Sequence, residues 1–329
     1  MKTPHFFTIT AAAIVLTVMG AASAAIAQGY PNKTITLVVP FAAGGPTDTL
    51  ARIAADRMRR ALGQTVVVEN TVGAAGSIGV GRVARAAPDG YLIGIGHWST
   101  HVVNGAVYSL QYDLLKDFEP IAMIATNPQL IVSRNSLPAA NLKELTAWLK
   151  ANSAKATMGT AGVGSASHVG GLYFQNSTGT KFEAIPYKGA GPAMQELIGG
   201  QIDVIFDQAA NSLPHVRSGK IRAYAVTDKA RLAAAPEVPT VDEAGVKGLY
   251  IAIWHGLWAP RGTPRDVIAR LNASVVESLA DTVVRQRFGD LGQDIPSRER
   301  QTPEVLAAYH KAEIEKWWPM IKAAGIKAE

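Results

Sequence analysis

The stretch "TLVVPFAAGGPTDTLARIAADRM", residues 36–58, decides the fold class. Its opening is β-branched and aliphatic on successive residues, so the strand it predicts is apolar on both faces. Two glycines and a proline follow, and then apolar residues recur at the helical period. Leu50, Ile53, Ala54, Met58 and Ala61 share one face of the predicted helix, Arg52, Asp56, Arg59 and Arg60 face water, and Gly63 stops it. A doubly apolar strand feeding directly into a helix is the start of a βαβ unit, in which helices cover both faces of a sheet.

The pattern repeats along the chain. Strands are predicted at 34–40, 65–69, 91–96, 129–133, 156–160, 182–186, 202–207 and 221–227, with helical spacing between them. The first three close one βαβαβ set. A weakly patterned stretch at 107–120 and an apolar run at 121–126 then lead to a second set ending near Thr227. Residues 233–248 read as an irregular return, "WHGLWAP" (254–260) as a strand, and 264–288 and 303–324 as closing helices. Thr302 and Pro303 make a favoured helix start. A chain that leaves one unit, builds another and returns has the layout of a hinged cleft.

Ligands of such sheets collect beyond the carboxyl ends of strands, where helix N-termini point. Three junctions there are rich in glycine and small hydroxyls: "PFAAGGPTD" (40–48), "ENTVGAAGSIG" (69–79) and "GTAGVGSASHVGG" (159–171). Free N–H groups and the helix dipole make them seats for anions. Nucleotide signatures are missing: no Gly-Lys-Ser/Thr occurs, and "GVGSAS" (162–167) and "GIGHWS" (94–99) both end in Ser where the dinucleotide fingerprint needs Gly. "AGSIG" (75–79) has Ala where a nucleophile elbow has Gly. His97 and His101 stand four apart without a carboxylate at metal spacing, which leaves loop or ligand-contact roles. His168 either donates to an anion or is simply a polar residue in a first helical turn. Asp48 either complements its helix dipole or touches the ligand. Asp207 ends its strand facing the glycine loops, as a ligand acceptor, as a group repelling a second carboxylate, or as a cap. Trp98 is either core or a wall for the ligand.

The composition sets limits. "MKTPHFFTITAAAIVLTVMGAASAAIAQG" has the charge, short apolar run and A-x-A site of a signal peptide spanning 1–27, cleaved near Ala27, and predicts export to a periplasm. The 329 residues less these 27 leave 302, enough for two domains. There is no cysteine, which excludes disulfides, thiolate metal sites and thiol nucleophiles. Lys and Arg number 32 against 26 Asp and Glu, but scattered, with no basic block. Nucleic-acid binding is not expected, and a mild field favouring small anions is.

These motifs, with "IPYKGAGPAMQELIGGQIDVIFD" (185–207), "HVRSGKIRAYAVT" (215–227) and "VPTVDEAG" (238–245), closely resemble the Bug family, periplasmic solute-binding proteins of tripartite tricarboxylate transporters. The resemblance runs in order through the mature chain. It implies an α/β, two-lobed, type II-like periplasmic-binding-protein fold, each lobe a mainly parallel sheet flanked by helices. Residues 28–124 and 228–329 would form lobe 1 and 125–227 lobe 2. It further implies a carboxylate held by backbone and small hydroxyl groups, partly through ordered waters. Phe41, Gly44, Gly45, Thr47 and Asp48 would face Thr160, Ala161, Ser165, Ala166, Ser167 and His168. Trp98, Ser99, Thr100 and His101 would form a third cleft loop, with Asp207 opposite. Trp98 stands where the family more often has a small residue, narrowing the cleft or offering a stacking surface. The expected protein is a monomeric receptor without metal, cofactor or catalysis, which delivers a di-, tri- or aromatic carboxylate to the membrane subunits of its transporter. An exported hydrolase and a sensor for a membrane receptor are the rival classes.

Overall fold

The strand–glycine–helix stretch folds as its pattern predicts. In a computed structural model, which describes residues 29–323 and 325–327, β1 (Ile35–Val39) leads through Gly44 and Gly45 into α1 (Pro46–Leu62). Pro46 opens the helix, and Gly63 ends it in the left-handed region at φ 67°. Leu50, Ile53, Ala54 and Met58 are buried, while Arg52, Asp56, Arg59 and Arg60 are exposed. The predicted signal peptide and its cleavage point lie outside the described residues.

β1 pairs in parallel with β2 (Val66–Asn70) and β3 (Leu92–His97). α2 (Ser77–Ala84) connects those two, and a π-helical turn (Ser99–Val103) continued by α3 (Asn104–Val107) follows β3. Then comes β4 (Phe118–Arg134), a single strand of 17 residues shared by both halves of the molecule. Its residues 118–128 pair antiparallel with β9 (Ala252–Pro260), which pairs antiparallel with β3. From Gln129 onward it pairs antiparallel with β7 (Val204–Gln208) and β8 (Ile221–Val226), and β7 continues in parallel through β5 (Thr157–Thr160) to β6 (Glu183–Pro186). Each half therefore has two parallel and two antiparallel pairings, a mixed sheet where a mainly parallel one was expected. The crossing strands are the reason, since they run outward on one pass and back on the other.

The second half carries α4 (Leu142–Ala151), α5 (Ala166–Thr178), α6 (Ala190–Ile198) and α7 (Ala209–Arg217). The C-terminal part comprises α8 (Arg265–Ala280), α9 (Thr282–Asp290) and α10 (Pro303–Ala323). The predicted helix at 264–288 is thus two, broken at Asp281, whose side chain accepts from the N–H groups of Val283 and Val284 and starts α9. All three terminal helices pack on the first half: Leu271, Val275 and Phe288 join the core of Ile35, Leu37 and Ile93, and Leu306 and Trp317 join that of Trp98 and Trp258. The chain returns later than expected. Leu232, Ala235 and Val238 pack with Leu130 and Ile205, Val241 and Leu249 pack with Ile131 and Phe206, and Val226 bridges Thr240. These contacts put 228–250 with the second half rather than the first.

Candidate functional site

On the first half, the turn before α1 presents its backbone. Gly45 is the N-cap, with extended dihedrals and no capping side chain. The first-turn N–H groups of a helix lack intrahelical partners, so those of α1 remain available. Asp48 does not take them. It is buried, and its Oδ2 accepts from the Gly44 N–H at 3.0 Å and from Arg52 Nε at 2.9 Å, while Oδ1 accepts from Asn70 Nδ2 at 3.0 Å. Burial works to raise its pKa, but the bonds from Arg52, Gly44 and Asn70 overcome it and hold the carboxyl below its ordinary range. Asn70 also donates to the Phe41 carbonyl at 2.8 Å. Asp48 is therefore an internal brace of the turn.

On the second half, the loop after β5 is built differently. Ser165 caps α5, its Oγ accepting from the His168 N–H at 3.3 Å and lying 3.0 Å from Ser167 Oγ. Ser167 Oγ in turn accepts from the Ala161 N–H at 2.9 Å. Thr160 Oγ1 accepts from the Gly162 N–H, and His168 Nδ1 from the Gly164 N–H at 3.1 Å. With Nδ1 committed to backbone and burial lowering its pKa, His168 is not positioned as the base of a serine nucleophile.

The two loops meet across one cavity of about 30 Å³. Phe41, Gly45 and Thr47 line it from the first half, and Ala161, Ser165, Ala166, Ser167 and Asp207 from the second. That space holds a carboxylate-sized group and little more. Among the described residues that line it, none is lysine or arginine. Asp207 is buried, with Oδ2 accepting from Asn211 Nδ2 at 2.8 Å and Ser212 Oγ at 2.6 Å, and burial pushes its pKa up to about 6 against those bonds.

The structure places other predicted residues elsewhere. Gly44 is exposed and outside the lining, Asp48 and Thr160 are buried and also outside it, and His168 lines only the outer mouth. Trp98 is fully buried in the core, edge-on to Trp317 at 4.9 Å, and walls no cleft. His101 is buried, stacked on Trp258 at 3.7 Å. Ser99 and Thr100 act one step back: Ser99 N–H donates to His97 Nδ1 at 3.0 Å, and Thr100 Oγ1 accepts from the His97 N–H at 3.0 Å. His97 itself lines the cavity, stacked on Phe41 at 4.9 Å, and burial drops its pKa to about 3, so it is a neutral imidazole. Gln129, Phe206 and Gln208 also line the cavity, and sequence reading missed them. Their strands look like ordinary core, and only the crossing of β4 between the halves brings them under the loops.

Outside this seat the cleft widens to about 690 Å³, lined by Phe41, Ala74, Ala75, Tyr108, Val163, Tyr187 and the lysines Lys188 and Lys327 among others. Ala74 and Ala75 hold left-handed dihedrals at φ 45° and 46°, an uncommon conformation for residues with a Cβ. Two bonds cross from half to half here: the Ala42 N–H donates to the Lys188 carbonyl at 3.2 Å, and Tyr108 Oη to the Val163 carbonyl at 2.5 Å.

Comparison with known proteins gives consistent results. The model of the family described as "Tripartite tricarboxylate transporter family receptor" matches residues 50–326. Protein BugT of Bordetella pertussis is 33% identical over 316 residues, 95% of this chain and 96% of that protein. Among solved structures, the periplasmic binding protein BugD superposes with a TM-score of 0.88 at 42% identity, covering 91% of this chain and 100% of that one. MatC from Rhodopseudomonas palustris, solved with bound malate, gives 0.86 at 39% identity over 89% and 100% of the two chains. Rpa4515 of the same organism, solved with adipate, gives 0.86 at 33% identity over 91% and 100%. These likenesses extend to the two-lobed periplasmic-binding-protein fold.

Proposed function

This chain belongs to the tripartite tricarboxylate transporter receptor family, and from that premise we propose that it captures a small organic carboxylate between its lobes and presents it to the membrane subunits of such a transporter. The family is one of periplasmic binding proteins, not enzymes. The observation that carries the reading is the meeting of two turns rich in glycine and small hydroxyls, from opposite halves, at one cavity that no lysine or arginine among the described residues lines. An anion there would be held by N–H groups and hydroxyls at helix starts. A few such charge-assisted bonds at about 1.5–3 kcal/mol each account for a micromolar Kd, about −8 kcal/mol.

We assign residues 28–124 and 251–329 to lobe 1 and 125–250 to lobe 2, with β4 and β9 as the crossing strands. In the open state a carboxylate docks on one lobe. Closure adds the other lobe's donors, and only contacts made in the closed state can drive it. The chain acts as a monomer, exported and cleaved near Ala27. No helix among the described residues is long and apolar enough to cross a membrane. A thermal-shift panel of citrate, C4–C6 diacids, acidic amino acids and benzoate-type acids tests the reading, with sugars and organic cations as controls. Stabilisation by at least one acid and by no control is expected; a panel in which no acid stabilises the protein rejects capture of carboxylates.

A further inference from the structure

The floor of the cavity holds a side chain that nothing in the protein satisfies. Gln129 is fully buried, and neither its Nε2 nor its Oε1 has a hydrogen-bond partner. Its neighbour across the β4–β7 ladder is Gln208, whose Oε1 is also buried and unpartnered, and both residues line the cavity. An orphaned buried amide costs about 1–3 kcal/mol, so one kept beside a ligand cavity calls for an explanation, and a ligand group is one. The surroundings are shaped to admit it. On α5, a Cβ at position 170 would fall 2.3 Å from Gln129 Oε1, and the residue there is glycine. The protein's own candidates are engaged elsewhere: Ser165 and Ser167 bond each other, and Oδ2 of Asp207 takes both Asn211 and Ser212.

We propose that the Gln129 amide is the specificity-determining contact of this site and selects a 2-hydroxy acid. An amide with both atoms free offers a donor group and an acceptor side by side. Gln129 lines the small cavity that seats the carboxylate, so the complementary ligand carries donor and acceptor beside that carboxylate. A 2-hydroxyl does this with a single group, donating to Oε1 while its own oxygen accepts from Nε2. A methylene offers neither, and an ammonium offers only donors. Gln208 Oε1 is an alternative acceptor for the same hydroxyl proton. The inference rests on the carboxylate-capture reading above and narrows it.

Calorimetry on matched trios tests it: succinate, malate and aspartate, and glutarate, 2-hydroxyglutarate and glutamate, against the mature chain and its Gln129→Met and Gln208→Met variants. The wild type is expected to bind each hydroxy acid at least about tenfold more tightly than its deoxy partner, and more tightly than the amino acid. Gln129→Met erases that preference and at the same time raises the unliganded unfolding midpoint by about 1–3 °C, because it removes an unsatisfied polar group. A merely structural amide, satisfied by water, would move the other way: the midpoint would fall and the preference persist, which overturns the proposal. Equal wild-type affinity for hydroxy and deoxy acids, or preference for the amino acid, overturns it too, with carboxylate capture left standing. If no acid of either trio binds, nor any of the wider carboxylate panel, capture itself fails and this inference with it. Should Gln129→Met not fold, the wild-type ratios and the smaller loss expected of Gln208→Met still decide.

Discussion

At Gly45 the constraint is space rather than backbone freedom. Its φ is −82°, accessible to any residue, and a Cβ there would lie 3.5 Å from the Gly191 N across the cleft, an ordinary contact. Gly45→Ala is therefore expected to fold and bind, whereas the branched Gly45→Val meets the opposite lobe and blocks closure. We expect Gly45→Val to keep the wild-type unfolding midpoint within about 2 °C, since the added methyls meet the opposite lobe across the cleft rather than a packed hydrophobic core, and to lose ligand binding by calorimetry. Wild-type affinity in Gly45→Val would place the anion elsewhere. Residue by residue, the candidate site was legible where its residues leave a local signature. Glycines and small hydroxyls at strand ends mark Gly45, Thr47, Ser165 and Ser167, and all four line the cavity. Asp48 and Trp98 look equally conspicuous in sequence, yet their partners, Asn70 and Trp317, stand far along the chain and absorb them into the structure.

The two helix starts at the cavity solve the same problem in opposite ways. α1 has no capping side chain, whereas α5 has Ser165 on its third N–H. Ser165→Ala is thus expected to cost about 1 kcal/mol of stability as a lost cap, and to weaken ligand binding in addition if the hydroxyl also reaches the anion. Denaturant midpoints and calorimetry separate the two; an unchanged midpoint would contradict the cap. Most elements were readable from period and punctuation, because helices and strands here are uniform inside and stopped by Gly or Pro. β4 was not. Pro128 interrupts its pattern, and sequence reading gives two short runs where one strand passes between lobes, changing partners from β9 to β7 and β8 at Gln129. Register of that kind belongs to tertiary structure, and with it went the floor residues Gln129 and Gln208. The late return of 228–250 was hidden for the same reason: an irregular segment carries no period to show which core it covers.

Across the whole molecule, two hydrogen bonds among the described residues join the halves at the rim of the cleft. Ala42 N–H to the Lys188 carbonyl is backbone on both sides, but Tyr108 Oη to the Val163 carbonyl hangs on one hydroxyl. Tyr108→Phe removes that bond while keeping the ring, so the unliganded protein is expected to shift toward a more open form, with a larger radius of gyration in solution scattering, and to bind ligand several-fold more weakly. Identical scattering and affinity would leave the hydroxyl without a part in closure. Acid tests the fold as a whole. His97, His101, His255 and His310 are all buried, and burial keeps every one of them neutral: His97 at about 3, His310 at about 4, His101 and His255 well below the ordinary value. Unfolded, they would titrate near 6.5. A depressed histidine contributes stability that is complete above the unfolded pKa and is lost as pH falls toward the folded one. Asp207 acts in the opposite sense: raised from 3.8 to about 6, it stabilises at low pH and loses that contribution as pH rises. His168 and His215 are lowered too, and Asp294 is raised as Asp207 is; between pH 6.5 and 5 most other carboxylates stay charged in both states, so six imidazoles stand against two carboxyls, and the imidazoles win. The unfolding midpoint is therefore expected to fall steadily as pH drops from 6.5 to 5. A midpoint that is flat or rises over that interval would mean that these histidines reach water, and that the core beneath the ligand seat is far looser than its packing implies.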